Sequence, residues 1–183
     1  MQTDLSKYNN NWYDTGAGKI KRLMWYFTNV LVLMNPLNPS SGIKVLFLKL
    51  YGAKIGKGVV IKPSVNIKYP WKLKIGNHTW IGEKVWIDNL EQVTIGNHCC
   101  ISQGALILIG NHNYKKSTFD LMVNPIIIED GVWIGAKAIV TGGTVCKSHS
   151  VLSAGSICSK DLDSYTIYKS YTLESVKKRI IEE

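Results

Sequence analysis

The chain has 183 residues, 45% of them hydrophobic and 19% charged, a composition that supports one domain with a sizeable core and excludes a disordered chain. Its 22 basic and 13 acidic side chains leave a net charge of +9, which points to anionic partners (phosphorylated ligands, nucleic acid or an acidic membrane surface) without choosing among them. Cys99, Cys100, Cys146 and Cys158 show no Cys-x-x-Cys spacing, so neither a zinc site nor a disulfide framework is indicated, and small buried thiols are expected.

Residues 1–50 carry six basic and two acidic side chains and read as an N-terminal helical cap. A first helix is predicted from about Ala17 to Met34, stopped by Asn35-Pro36. Its apolar run, Leu23 to Met34, is shorter than the roughly 20 residues that cross a bilayer. It also starts too late, behind Asp4 and Asp14, to look like a signal peptide, so the chain reads as cytoplasmic. A second helix follows Pro39-Ser40-Ser41, with Ile43, Leu46, Phe47 and Leu50 at i, i+3, i+4 and i+7 as its apolar face. Trp25, Tyr26 and Phe27 beside Lys19, Lys21 and Arg22 admit two readings: contact with a membrane surface or lipid-linked substrate, or packing of the aromatics on the structure beneath, which is the favoured one.

From Tyr51 to about Leu162 one rhythm dominates. An aliphatic residue recurs every six positions: Ile55, Ile61, Ile67, then Ile75, Ile81, Ile87, then Ile95, Ile101, Ile107. After an interruption the frame returns as Ile128, Ile134, Val140, Cys146, Leu152 and Cys158. Small or β-branched residues follow four positions later, among them Val65, Val85, Ala105, Ala138 and Ser156. Six matches neither a 3.6-residue helix nor an alternating strand. It fits a short strand and a tight turn, three of which close a triangular coil whose neighbours stack at strand spacing. Residues 51–162 are therefore expected to form a parallel β-solenoid, mainly β.

The frame fails once at length, between residues 110 and 126, and a long insertion in so regular a solenoid is more often functional than structural. His112 opens it. His78, His98 and His149 instead sit three positions after an in-frame residue and read as turn residues. Imidazole is the side chain best suited to proton transfer near neutral pH, which makes His112 the candidate base. The tail, 163–183, suggests a short helix opening near Thr172, with Leu173, Val176 and Ile180 on one face and Lys177-Lys178-Arg179 solvated.

Several segments are similar to the hexapeptide-repeat acyltransferases, whose fold is a left-handed parallel β-helix. They are Ile101-Ser-Gln-Gly-Ala, Gly110-Asn111-His112 and Pro125-Ile-Ile-Ile-Glu-Asp-Gly-Val-Trp-Ile-Gly-Ala136. Gly52 to Gly58, Tyr69-Pro70-Trp71, Trp80-Ile81-Gly82 and Val85 to Leu90 bring the resemblance closer to acetyltransferases of colanic acid and exopolysaccharide biosynthesis than to galactoside or maltose acetyltransferases. The resemblance implies a homotrimer that transfers acetyl from acetyl-CoA to a sugar or lipid-linked oligosaccharide hydroxyl, with His112 as catalytic base and no metal. It also implies acceptor contacts at Asp88, Asn89 and Asn111, although Asp88-Asn89 is equally an ordinary turn. Donor contacts map to Trp133, Ala136, Ala154, Ser159 and Lys160. Two departures stand out. Gly82 replaces an asparagine of the galactoside enzymes, and Tyr168 to Leu173 replaces a Gly-x-Pro-Ala segment near the cofactor. A γ-type carbonic anhydrase would need a closely spaced histidine pair that is absent. A non-catalytic scaffold predicts no dependence on His112, and no nucleic-acid motif is present.

Overall fold

In the computed structural model, which describes residues 4–169 and 174–178, each hexad forms a strand of two or three residues and a turn. The strands build three parallel sheets, the faces of a left-handed prism of about six coils. Face A stacks Lys54–Ile55, Leu73–Ile75, Val93–Ile95, Ile126–Ile128 and Val145–Cys146. Face B stacks Val60–Ile61, Trp80–Ile81, Cys100–Ile101, Trp133–Ile134, Val151–Leu152 and Thr166–Lys169. Face C stacks Asn66–Ile67, Trp86–Asp88, Leu106–Leu108, Ile139–Thr141 and Ile157–Cys158.

The in-frame residues lie over one another in register. On face B, Ile61 pairs with Ile81, Ile81 with Ile101, Ile101 with Ile134, Ile134 with Leu152 and Leu152 with Tyr168. Face C runs Ile67, Ile87, Ile107, Val140, Cys158 in the same way. These side chains fill the prism interior, and the small residues four positions on close its corners. The turn between them has a fixed conformation. The residue three positions after an in-frame one is left-handed at Ser64, His78, Lys84, His98, Lys137 and His149, as is Tyr165 three after Leu162, which bridges Cys146, with φ between 54° and 60°, and glycine takes the same place at Gly58, Gly104, Gly131 and Gly155. At Gly82, one position after its in-frame residue, a Cβ would lie 2.6 Å from the backbone N of Gln103 in the next coil, so a larger residue forces the coils apart.

Helix α1 (Lys19–Thr28) continues through a wider turn at Asn29–Leu33, and helix α2 covers Ser41–Leu50. Both lie on the first coil, but α2 is turned opposite to the expectation. Ile43, Leu46 and Leu50 face outward, while Lys44 and Leu48 are fully buried. The cause is the open end of the solenoid, whose first coil presents backbone groups that have no strand below them. The cap answers with polar atoms. Trp25 Nε1 donates to Ile67 O at 2.9 Å, Asn29 Oδ1 accepts from Ile67 N at 3.4 Å, and Ser41 Oγ both accepts from Ile61 N at 3.0 Å and lies 3.2 Å from Ile61 O. Lys44 Nζ donates to Asn38 O at 2.7 Å and Ile61 O at 3.2 Å, and its burial pushes its pKa down. Trp25 packs inward as favoured, but Tyr26 and Phe27 face solvent.

The helix expected in the tail does not form over Glu174–Lys178. That stretch is a strand, antiparallel to Thr166–Lys169, because the last strand of face B would otherwise leave an unpaired edge. Thr172, Leu173, Arg179 and Ile180 lie outside the described residues. At the other terminus, residues 4–16 form a strap along the prism rather than part of the helical cover. Asp4 N donates to Ser117 O at 2.8 Å, Tyr13 OH to Leu90 O at 2.6 Å, and Thr15 O accepts from Trp71 Nε1 at 2.7 Å.

Candidate active site

The extra residues between coils fall mostly at one corner, between faces C and A. Lys68–Lys72, Asn89–Gln92 and the long insertion after Leu106–Leu108 therefore stack on a single edge. The insertion leaves this edge at Gly110 and returns as a short hairpin in which Asn111–His112 pairs antiparallel with Leu121–Met122.

His112 is oriented by the loop it opens. Its Nδ1 lies 2.9 Å from the carbonyl oxygen of Phe119, and its ring stacks on the Phe119 ring at 4.4 Å with 9° between planes. A carbonyl oxygen can only accept, so Nδ1 carries the proton and Nε2 of the neutral ring keeps its lone pair. Phe119 holds φ at +52°, unfavourable for a bulky side chain, in the turn that presents its carbonyl to the imidazole. Asp120 braces this turn: its carboxylate accepts from Lys116 Nζ at 2.8 Å and from Thr118 Oγ1 at 2.6 Å. These bonds, the lysine's first, hold its carboxyl below the usual range. Leu5, Tyr8, His112 and Phe119 line a hollow of about 340 Å³, with the Tyr8 ring 5.8 Å from the imidazole. Nothing in the sequence pointed to Leu5 or Tyr8, since the strap has no periodicity.

One coil below, Asp88 pairs with Lys68 at 2.9 Å, and a Cβ on Gly110 would come within 3.4 Å of its Oδ2, which places the carboxylate at the root of the insertion. Asn111 is exposed, and its Oδ1 accepts from the His112 backbone N at 2.8 Å. Asn89 is the correction here. It is fully buried; its Oδ1 accepts from Tyr69 N at 3.0 Å, and its Nδ2 donates to Tyr69 O and, at 3.0 Å, to Lys72 O. With both ends of the amide holding the neighbouring turn, it has no surface to offer an acceptor.

The residues expected at the donor divide between two edges. Ser159 and Lys160 are exposed at the C–A corner, the His112 edge, two coils further on. At strand spacing that is about 10 Å along the axis. Trp133 lies on face B, its Nε1 donating to Ser102 Oγ at 2.9 Å. Ala136 and Ala154 stack at the B–C corner, joined by the bond from Gly155 N to Ala136 O at 2.8 Å. Within one protomer these two groups do not converge. His78 and His98 stack on each other at the A–B corner, 5.3 Å apart, away from His112. The Cys99 thiol is buried and pushed up by that burial, the reverse of an activated nucleophile.

No family model matches the chain. It is 31% identical over 168 residues to the protein of Escherichia coli K12 named colanic acid biosynthesis acetyltransferase WcaF, and the match covers 92% of each chain. A solved hexapeptide-repeat acetyltransferase of Vibrio cholerae, complexed with acetyl-coenzyme A, superposes with a TM-score of 0.80 at 19% identity over 92% of this chain and 93% of that one. A galactoside acetyltransferase in complex with coenzyme A superposes at 0.76, with 22% identity over 87% of this chain and 80% of that one. At these identities the two solved structures speak to the fold alone.

Proposed function

The chain belongs to the hexapeptide-repeat acetyltransferases, and from that premise we propose that it moves acetyl from acetyl-CoA to a sugar hydroxyl of a polysaccharide precursor, with His112 as general base. The observation that carries this reading is the bond from His112 Nδ1 to Phe119 O, which leaves Nε2 to take a proton. As Nε2 removes the hydroxyl proton, the oxygen attacks the thioester carbonyl. The tetrahedral intermediate then expels the thiolate of coenzyme A, which takes the proton back from the imidazolium. The Phe119 carbonyl is already placed to stabilise that cation. No protein nucleophile is needed for direct transfer. Asp88, its Lys68 partner and Asn111 border the acceptor side, and Lys160 meets a donor phosphate.

His112→Ala lowers the turnover number at least about a hundredfold, the lower end for a lost general base, while acetyl-CoA binding measured by calorimetry is unchanged. His78→Ala, His98→Ala and His149→Ala affect stability more than turnover. Equal losses in all four variants would overturn the assignment.

A further inference from the structure

The helical cap turns Asn29 and Lys44 toward the first coil and leaves a row of apolar side chains outward on each helix. On α1 and its extension, Ile20, Leu23, Phe27 and Leu31 follow one another at helical spacing and are all more than half exposed, opposite the buried Trp25, Asn29 and Leu33. On α2 the exposed stripe is Ile43, Leu46 and Leu50, opposite the buried Lys44 and Leu48, and Leu37 between the helices is 87% exposed. Exposed apolar stripes on two successive helices call for an occupant.

Charge selects it. Residues 15–82, the cap and the first coils, contain eleven basic side chains and no acidic one, whereas the remaining 115 residues contain eleven basic and thirteen acidic. The net positive charge is thus concentrated at the end of the prism that bears the apolar stripes, with Lys19, Lys21 and Lys49 exposed beside them. A second copy applied to this surface would set cation against cation. An anionic bilayer satisfies both properties, since short helices with an apolar face and flanking lysines lie in the headgroup plane. Among the described residues no helix is long and apolar enough to cross a membrane, so the contact is peripheral. We propose that the protein docks on an anionic lipid surface through the outward apolar stripes of α1 and α2. The proposal is independent of the role of His112.

The full chain is sedimented with vesicles of phosphatidylcholine alone and with vesicles containing about one-third phosphatidylglycerol. Binding to the anionic vesicles is at least about tenfold tighter and weakens as salt rises. Leu23→Ser with Leu31→Ser, which removes no charge, weakens it by about tenfold or more, and both side chains are exposed enough for the fold to persist. Equal or undetectable binding of the wild-type chain to the two vesicle types would overturn the proposal, and this arm requires no variant. So would a double variant that sediments as a smaller oligomer while binding vesicles unchanged, which would make the stripes an interface between copies.

Discussion

At His112 the identity of one hydrogen-bond acceptor decides what the side chain can do. A hydroxyl beside Nδ1 would leave either proton arrangement open, whereas the Phe119 carbonyl accepts only. The position of that carbonyl rests on Asp120, which ties Lys116 and Thr118 together beneath it. Because the Asp120 carboxyl is held below its ordinary value of 3.8, its contribution to loop order is fully present above that value and is lost as pH falls through the lowered one. The side-chain carboxyl carbon shift of Asp120 should therefore stay constant from neutrality down to about pH 4 and move below it. Asp120→Asn should cut the turnover number by about tenfold through misplacement of the base, with the Michaelis constant for acetyl-CoA unchanged. Lys160 is exposed two coils away on the same edge, and in the proposed reading it serves donor binding instead. Lys160→Ala should raise the Michaelis constant for acetyl-CoA about tenfold and leave that for the acceptor alone, an effect that shrinks with added salt. A silent Lys160→Ala would reduce the residue to a solvated turn.

The elements show where periodicity informs and where it misleads. The fifteen in-frame positions from Ile55 to Cys158 located five coils but not the last strand of face B, Thr166–Lys169, because the interior of a solenoid is apolar at each level and the rule behind the pattern holds there. The same rule placed α2 correctly along the chain and turned it the wrong way. It assumes that the covered side of a helix is apolar, yet what α2 covers is a row of unpaired backbone groups at Ile61, met by Ser41 and Lys44. The tail fails for a related reason: Glu174–Lys178 answers to the open edge of Thr166–Lys169, which no local spacing records. Trp25 joins both demands of the cap, filling the end of the core and donating to Ile67 O. Trp25→Ala should therefore destabilise the protein by about 3–5 kcal/mol in denaturant titration, as expected for the loss of a buried indole. Within the site, the break in the hexads exposed His112, but Phe119 and Tyr8 could not be found, since a backbone carbonyl and a non-repeating strap leave no pattern.

Considered as a whole, the molecule carries Trp133, Ala136 and Ala154, three of the five residues proposed for the donor, away from the His112 edge, and its flat faces bear exposed Trp80 and Trp133 on B and Trp86 and Ile157 on C. Packing prisms side by side would cover these side chains and bring the B–C edge of one protomer to the C–A edge of its neighbour. Sedimentation equilibrium should accordingly give three times the 20.5-kDa chain mass at micromolar concentration, and a fully active monomer would contradict this arrangement. The prism has one further property. Ile107 and Val140 are stacked neighbours, as are Val140 and Cys158, so the height between the His112 loop and the Lys160 turn is two strand spacings. With the stacked interior residues and the turn glycines kept, that height changes in whole steps of about 4.8 Å, by inserting or deleting an 18-residue coil, so the prism acts as a graduated scale on which the reach of the proposed donor is read in integers.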